Sequence, residues 1–231
     1  MTQSLKVGVL LCSGVVQLLD LAAVDLLAML SSNYLRLFGL PEDVVALGHE
    51  VKLHYIADAV KGEAPTESIT SADARVRITD TLDSVDALDI LLIPGPAPTY
   101  VPSPQTIAFI QKQTASAKAV LIICSGIIPA AFSGILANKR ATAPLVLLPT
   151  LREKMPNVEW VAKRWTTDDD EKKKIWTSGG VTNGTDMVAA YLKENFDPQL
   201  VNLVCALADV GDRGQEYPEW QLNLKLDLKL F

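Results

Sequence analysis

Residues 119–126 read AVLIICSG, an unbroken apolar run that ends on Cys124, Ser125 and Gly126. A run this apolar and this short is the mark of a strand covered on both faces. The following segment reads as a helix to about Ala137, and Pro129 fits because it falls in the first turn. A buried strand that turns at once into a helix is the unit of a parallel α/β sheet.

The same grammar recurs outward from this stretch. Leu5–Leu11 (LKVGVLL) and Leu88–Ile93 (LDILLI) are buried strands, the latter halted by Pro94-Gly95-Pro96. Leu18–Phe38 carries apolar residues at helical spacing and predicts one long helix ended by Gly39 and Pro41. Val51–Ala57 is another strand, and Ile69–Thr79 predicts a hairpin at the sheet edge. Helices are expected over Gln105–Ala117 and Gly184–Phe196. Val158–Trp165 and Lys174–Thr177 read as strands joined by the solvated turn Thr166–Lys173 (TTDDDEKK). Leu222–Leu230 (LNLKLDLKL) alternates strictly, as an edge strand or docking tail does. The fold class is therefore α/β: a doubly wound, mostly parallel sheet flanked by helices in a flavodoxin-like, Rossmann-like three-layer sandwich. A single domain over 1–231, with 210–231 as a C-terminal tail, is expected for 231 residues without an evident linker.

Composition narrows the function. A net charge of −6 disfavours nucleic acid as a partner, because that binding rests on Lys and Arg neutralising phosphate. Val15–Phe38 is interrupted by Asp20, Asp25, Asn33 and Arg36, so no membrane span is expected. Met1–Ser4 leads directly into an apolar strand without a signal-like segment. Three cysteines, widely spaced and odd in number, suggest neither disulfides nor a zinc site, and point to a reducing, cytoplasmic setting.

In such a sheet ligands bind beyond the carboxyl ends of the strands, where strand order reverses. Cys124 stands at such an end, where a sharp turn lifts the side chain and the first helical amides favour an anion, lowering a thiol's pKa. The alternative is a small buried hydrophobe, as free cysteines often are. Cys12 also follows a buried strand, but four residues separate it from the next helix; Cys205 (in LVNLVCALA) reads as packing. The two histidines, His49 and His54, lie toward the amino end of their strand and cannot serve Cys124. A base for Cys124 must then be a carboxylate, and Asp20 in VQLLDL is placed for it; the competing role is a first-turn acid for its own helix.

These motifs in order (KVGVLL then QLLDL, ILLIPGP, IICSGIIPAAFSGILANKRAT and WTSGGVTNGTDM) resemble the ThiJ/PfpI superfamily, related to the class I glutamine amidotransferase fold, and most closely its isonitrile hydratase branch. The resemblance implies Cys124 as nucleophile and Asp20 as pocket acid, with Gly95, Ser125, Gly126, Gly179, Gly180 and Val181 lining an oxyanion or substrate site. It implies a hydro-lyase acting on a small-molecule electrophile, an isocyanide, to give an N-substituted formamide, with no cofactor and no metal, in a homodimer. The alternatives are a redox sensor whose Cys124 oxidises without turnover, and a silent binding module. Pro96 replaces a glycine and removes a potential N–H donor, and Ala143-Pro144 stands where relatives often carry Thr-His. A histidine-dependent protease or glyoxalase activity is accordingly not expected. Ala22-Ala23 replaces a Thr-Gly-Pro-like segment, which alters the expected pocket shape.

Overall fold

The computed structural model describes residues 4–12, 15–58, 65–168 and 174–222. From the amino end, β1 (Ser4–Leu10) and β2 (Val15–Val16) precede α1 (Ala22–Met29), α2 (Ser32–Leu37) and α3 (Glu42–Val45). Next come β3 (Glu50–Ala57), β4 (Glu67–Thr70), β5 (Arg75–Arg77), β6 (Asp80–Thr81) and β7 (Ile90–Ile93). Then α4 (Pro104–Ser116), β8 (Ala119–Ile123), α5 (Ile127–Phe132), β9 (Arg140–Ala141) and α6 (Leu148–Lys154) follow. The chain continues through β10 (Glu159–Trp160), β11 (Trp165–Thr167), β12 (Ile175–Ser178), α7 (Thr182–Asn195), α8 (Pro198–Ala208) and α9 (Glu219–Leu222).

The main sheet has the order β11-β12-β8-β7-β1-β3-β6. All its pairings are parallel except β11 with β12. From β1 the chain first builds one flank, β3 and β6, and then returns to build the other, β7, β8 and β12. The order therefore reverses between β1 and β7, and the crevice expected of such a switch opens beyond their carboxyl ends.

Period-two alternation divides the strands between two cores. Ile90 and Leu92 of β7, with Ala119, Leu121 and Ile123 of β8, face the cluster built on α1, α7 and α8. Leu91, Ile93, Val120 and Ile122 face the opposite cluster, built on α4, α5 and α6. Sheet residues buried on both faces explain why these strands read as continuous apolar runs rather than as alternation. This is the mostly parallel three-layer α/β fold that the sequence predicts.

Several local expectations are corrected. The long helix over Leu18–Phe38 is broken into a 3-10 turn (Leu18–Leu21), α1 and α2. The break is at Ser31, extended in backbone, whose hydroxyl accepts from the Tyr34 N–H and caps α2. A serine bonding to backbone amides competes with the helix it interrupts. The hairpin β4–β5 forms, but it joins β2 in a separate three-stranded sheet, while Asp80–Thr81 takes the main-sheet edge. Val158–Trp165 is two strands in different sheets, β10 with β9 and β11 with β12. The helix after Cys124 stops at Phe132, followed by Gly134 at positive φ, rather than at Ala137. Leu222 ends a short helix; the rest of the alternating tail, residues 223–231, and the turn 169–173 lie outside the described residues. Among the described residues no helix is long and apolar enough to cross a membrane.

Candidate active site

Three loops meet at the switch point. The segment after β1 is tied to the one after β7 by an antiparallel bridge, Val16 to Pro96, and by the Gln17 N–H donating to Gly95 O at 3.1 Å. The Gly95 N–H in turn donates to Asp20 Oδ2 at 2.8 Å. The turn after β8 joins them through the Ser125 hydroxyl, which donates to Pro96 O at 2.6 Å. The proline that cannot donate from its nitrogen thus contributes its carbonyl instead.

Gly95 permits this convergence. A Cβ there would lie 2.5 Å from Ser125 Oγ and 2.7 Å from Asp20 Oδ2, so only glycine lets the three loops close. Gly126 is required for packing rather than for lining: its Cβ would sit 2.2 Å from Ile93 O.

Cys124 occupies the turn with φ of +56°, the left-handed region that a side chain seldom adopts. Val181 is the second such residue at the site, with φ of +29° and ψ of −86°. A β-branched residue there carries strain of order 1–3 kcal/mol, which persists only where the surroundings impose it. Here the backbone groups of Val181 and Ser125 lie by the Cys124 sulfur and favour its anion. The two strained turns face one another across the thiol.

Asp20 is fully buried in the 3-10 turn that precedes α1 and caps no helix. Its Oδ1 makes no hydrogen bond of its own. Burial pushes its carboxyl up to about 7, against the hydrogen bonds from Gly95 and the Cys124 thiol that pull it down. The thiol is also pushed up, to about 11, first by burial and then by the Asp20 charge, which the Val181 and Ser125 contacts only partly offset. The expected lowering of the thiol pKa by a helix start is therefore overridden by desolvation and a neighbouring carboxylate. Asp20 therefore ionises before the thiol, which keeps its proton beside the carboxylate.

A cavity of about 320 Å³ opens on Cys124, lined also by Val15, Gln17, Gly95, Pro96, Pro98, Ser125, Pro144 and Val146, while Asp20 is fully buried and does not line it. Apolar walls with few polar groups at one end suit a small, largely apolar ligand. Gly180 does not line this cavity but an adjoining one. Gly179 packs under the Tyr217 hydroxyl, which its Cβ would approach to 2.1 Å and which accepts from Asn183 Nδ2 at 2.9 Å.

The rival groups are elsewhere. Cys12 is fully buried and its thiol is pushed up by burial and by Asp58. Cys205 packs within α8. His54 Nδ1 is 2.9 Å from Asp80 Oδ2 at the far flank of the sheet, and His49 stacks edge-on against Phe196. Among the described residues no group of three or more His, Cys, Asp or Glu side chains could hold a metal. Sequence reasoning missed Tyr217 and the walls Pro98 and Val146, brought in by loops that carry no local motif, and also Val15 of β2 and Asn183 of α7, the latter inside the quoted WTSGGVTNGTDM stretch.

Comparison with known proteins bears on the family and the fold. The DJ-1/PfpI family model matches residues 37–194, a span that holds Gly95, Cys124 and Val181 but not Asp20. Isonitrile hydratase from Pseudomonas putida is 31% identical over 169 residues, covering 71% of this chain and 68% of that protein. Among solved structures, a ThiJ/PfpI family protein from Pseudomonas syringae superposes with a TM-score of 0.65 at 17% identity, over 90% of this chain and 76% of the other. Drosophila melanogaster DJ-1beta superposes with a TM-score of 0.67 at 18% identity, over 91% of this chain and 100% of the other. At those identities the structures speak for the fold alone. With two thirds of its length matched by the family model and its strand-end cysteine inside that match, the chain belongs to the DJ-1/PfpI family.

Proposed function

We propose that the protein is an isonitrile hydratase-like hydro-lyase, which adds water to an isocyanide R–NC to give the formamide R–NH–CHO. The observation that carries this reading is the buried Asp20 carboxyl, with one oxygen unpartnered, coupled to the Cys124 thiol at the base of an apolar cavity. The Pseudomonas putida relative supports the substrate class.

In the reactive form Asp20 is ionised and Cys124 is a thiol. Sulfur attacks the terminal isocyanide carbon while the thiol proton passes to Asp20, and Asp20 delivers it to that carbon, giving the thioimidate R–N=CH–S–Cys. Water then adds to the same carbon, losing a proton to Asp20, which passes it to the nitrogen, and the hydroxyl proton remains for the collapse. Collapse breaks the C–S bond, releases the formamide and returns the proton to sulfur. Every atom of water ends in the product, so the cycle needs no oxidant, reductant or resident cofactor. The Val181 and Ser125 backbone groups that face the sulfur stabilise its anion as it leaves.

The redox-sensor reading asks for a thiolate at neutral pH, and Cys124 is held protonated by burial and Asp20. The hydratase reading uses that protonated state directly. A cytoplasmic setting and a homodimer complete the proposal, the latter checked by mass in solution. The deciding experiment mixes purified protein with cyclohexyl isocyanide and follows N-cyclohexylformamide. Turnover lost in Cys124→Ala and kept in Cys12→Ala supports the scheme, and turnover retained in Cys124→Ala overturns it.

A further inference from the structure

A second cavity, of about 280 Å³, shares the wall residues Pro144 and Val146 with the one above Cys124. It begins at Gly180, next to the Val181 backbone that serves the thiol, and no atom lies within 4 Å of where a Gly180 Cβ would stand. Tyr217 lines it as well.

The charge of this cavity is its distinguishing feature. Among the described residues its wall carries two arginines, Arg164 and Arg213, and no acid. Both bond the same oxygen, Asp186 Oδ2, the Arg213 contact at 2.7 Å. Asp209 and Asp212 line a neighbouring hollow with Asp186, which Arg213 also borders, and Glu216 is paired with Lys163. Arg164 is 7% exposed, and its Nε is buried without a hydrogen-bond partner. A half-exposed guanidinium, Arg213, backed by the buried charge of Arg164, is suited to an anion.

We infer that this cavity is a carboxylate subsite, so that the preferred substrate is an isocyanide whose substituent ends in a carboxylate held by Arg213 and Arg164. The inference rests on the hydratase reading for the reacting group but not for the charge. Indole and phenol groups from Trp220 and Tyr217 at the same wall give the linking carbons an apolar surface. The isocyano carbon sits over Cys124 while the carboxylate anchors the far end, which fixes the approach of the reacting atom.

The test separates binding from turnover. Cys124→Ala protein is titrated by calorimetry with N-formylglycine and longer N-formyl amino acids, and with their methyl esters. At least one acid should bind roughly tenfold or more tightly than its ester, as expected for a charge-assisted pair, and added salt should narrow the gap. Arg213→Gln should abolish the preference, and Arg213→Lys should keep part of it. Acid and ester binding alike at every length, or a preference untouched by Arg213→Gln, overturns the inference. A preference for the acids in protein that makes no formamide from any isocyanide leaves the subsite standing and removes the hydratase reading instead.

Discussion

The Gly95 N–H and the Asp20 carboxylate meet at 2.8 Å across two loops that follow different strands, and this bond holds the acid beneath the thiol. Asp20 is thereby fixed on one oxygen and left unpartnered on the other. A carboxyl so placed has two measurable effects, as a proton acceptor and as a negative charge beside sulfur. Asp20→Asn keeps the shape and an acceptor for Gly95 while removing both. Formamide production should fall by roughly 10²–10⁴-fold, the usual worth of a positioned acid–base group. Alkylation of Cys124 by iodoacetamide should become faster, because the charge that raises the thiol pKa is gone. Slower alkylation with full turnover would contradict both roles.

Gly95→Ala tests the convergence itself. The added methyl meets Ser125 Oγ, Asp20 Oδ2 and, at 3.1 Å, the Ser125 backbone nitrogen. Two of these belong to short, buried hydrogen bonds, so the loops must part. The expected cost is about 1–3 kcal/mol of stability, as for overpacking in a closed site, read by chemical denaturation, with turnover lost alongside. An unchanged denaturation midpoint would show that the loops yield freely.

How much of this was legible beforehand follows from where the information resides. Ile90–Ile93 and Ala119–Ile123 announce themselves because a strand buried on both faces must be apolar at every position. Cys124 was found because it directly follows such a strand, and Asp20 because it stands in the apolar stretch VQLLDL near the start of the helix after the first strand. Ser31 illustrates the opposite case: the apolar periodicity runs through it, yet one hydroxyl capping Tyr34 splits the helix. The thiol pKa could not be read locally either, since burial is a property of the assembled loops. Tyr217, Arg164 and Arg213 belong to segments distant in sequence from Cys124, and nothing in their local pattern marks them as sharing a corner of the molecule.

Ser125 acts on the thiol in the direction opposite to Asp20. Its one hydroxyl proton goes to Pro96 O while Cys124 is a thiol and can turn to the sulfur when that ionises, and its backbone also holds the Cys124 pKa down. Ser125→Ala leaves a buried carbonyl unpaired, a cost of about 1–3 kcal/mol. It should also slow alkylation of Cys124, the reverse of the Asp20→Asn result. Faster alkylation in both variants would mean that each merely loosens the pocket, and the electrostatic account would fail.

The raised pKa of Asp20 predicts two pH dependences of opposite sense. In the unfolded chain an aspartate ionises near 4, whereas in the folded protein Asp20 does so at about 7. Between those values the native state holds the extra proton, so stability falls as pH rises, by a total on the order of a few kcal/mol. This contribution is fully present below about pH 4 and lost above about pH 7. Catalysis needs the ionised carboxylate, so kcat/KM should climb through about pH 7 while stability declines, and it should fall again only as the thiol ionises near 11. Denaturant midpoints and kcat/KM across this range give both curves. Asp20→Asn should flatten the stability slope between about pH 4 and pH 7, since the titrating group is gone. A slope unchanged by that substitution would assign the proton to another residue.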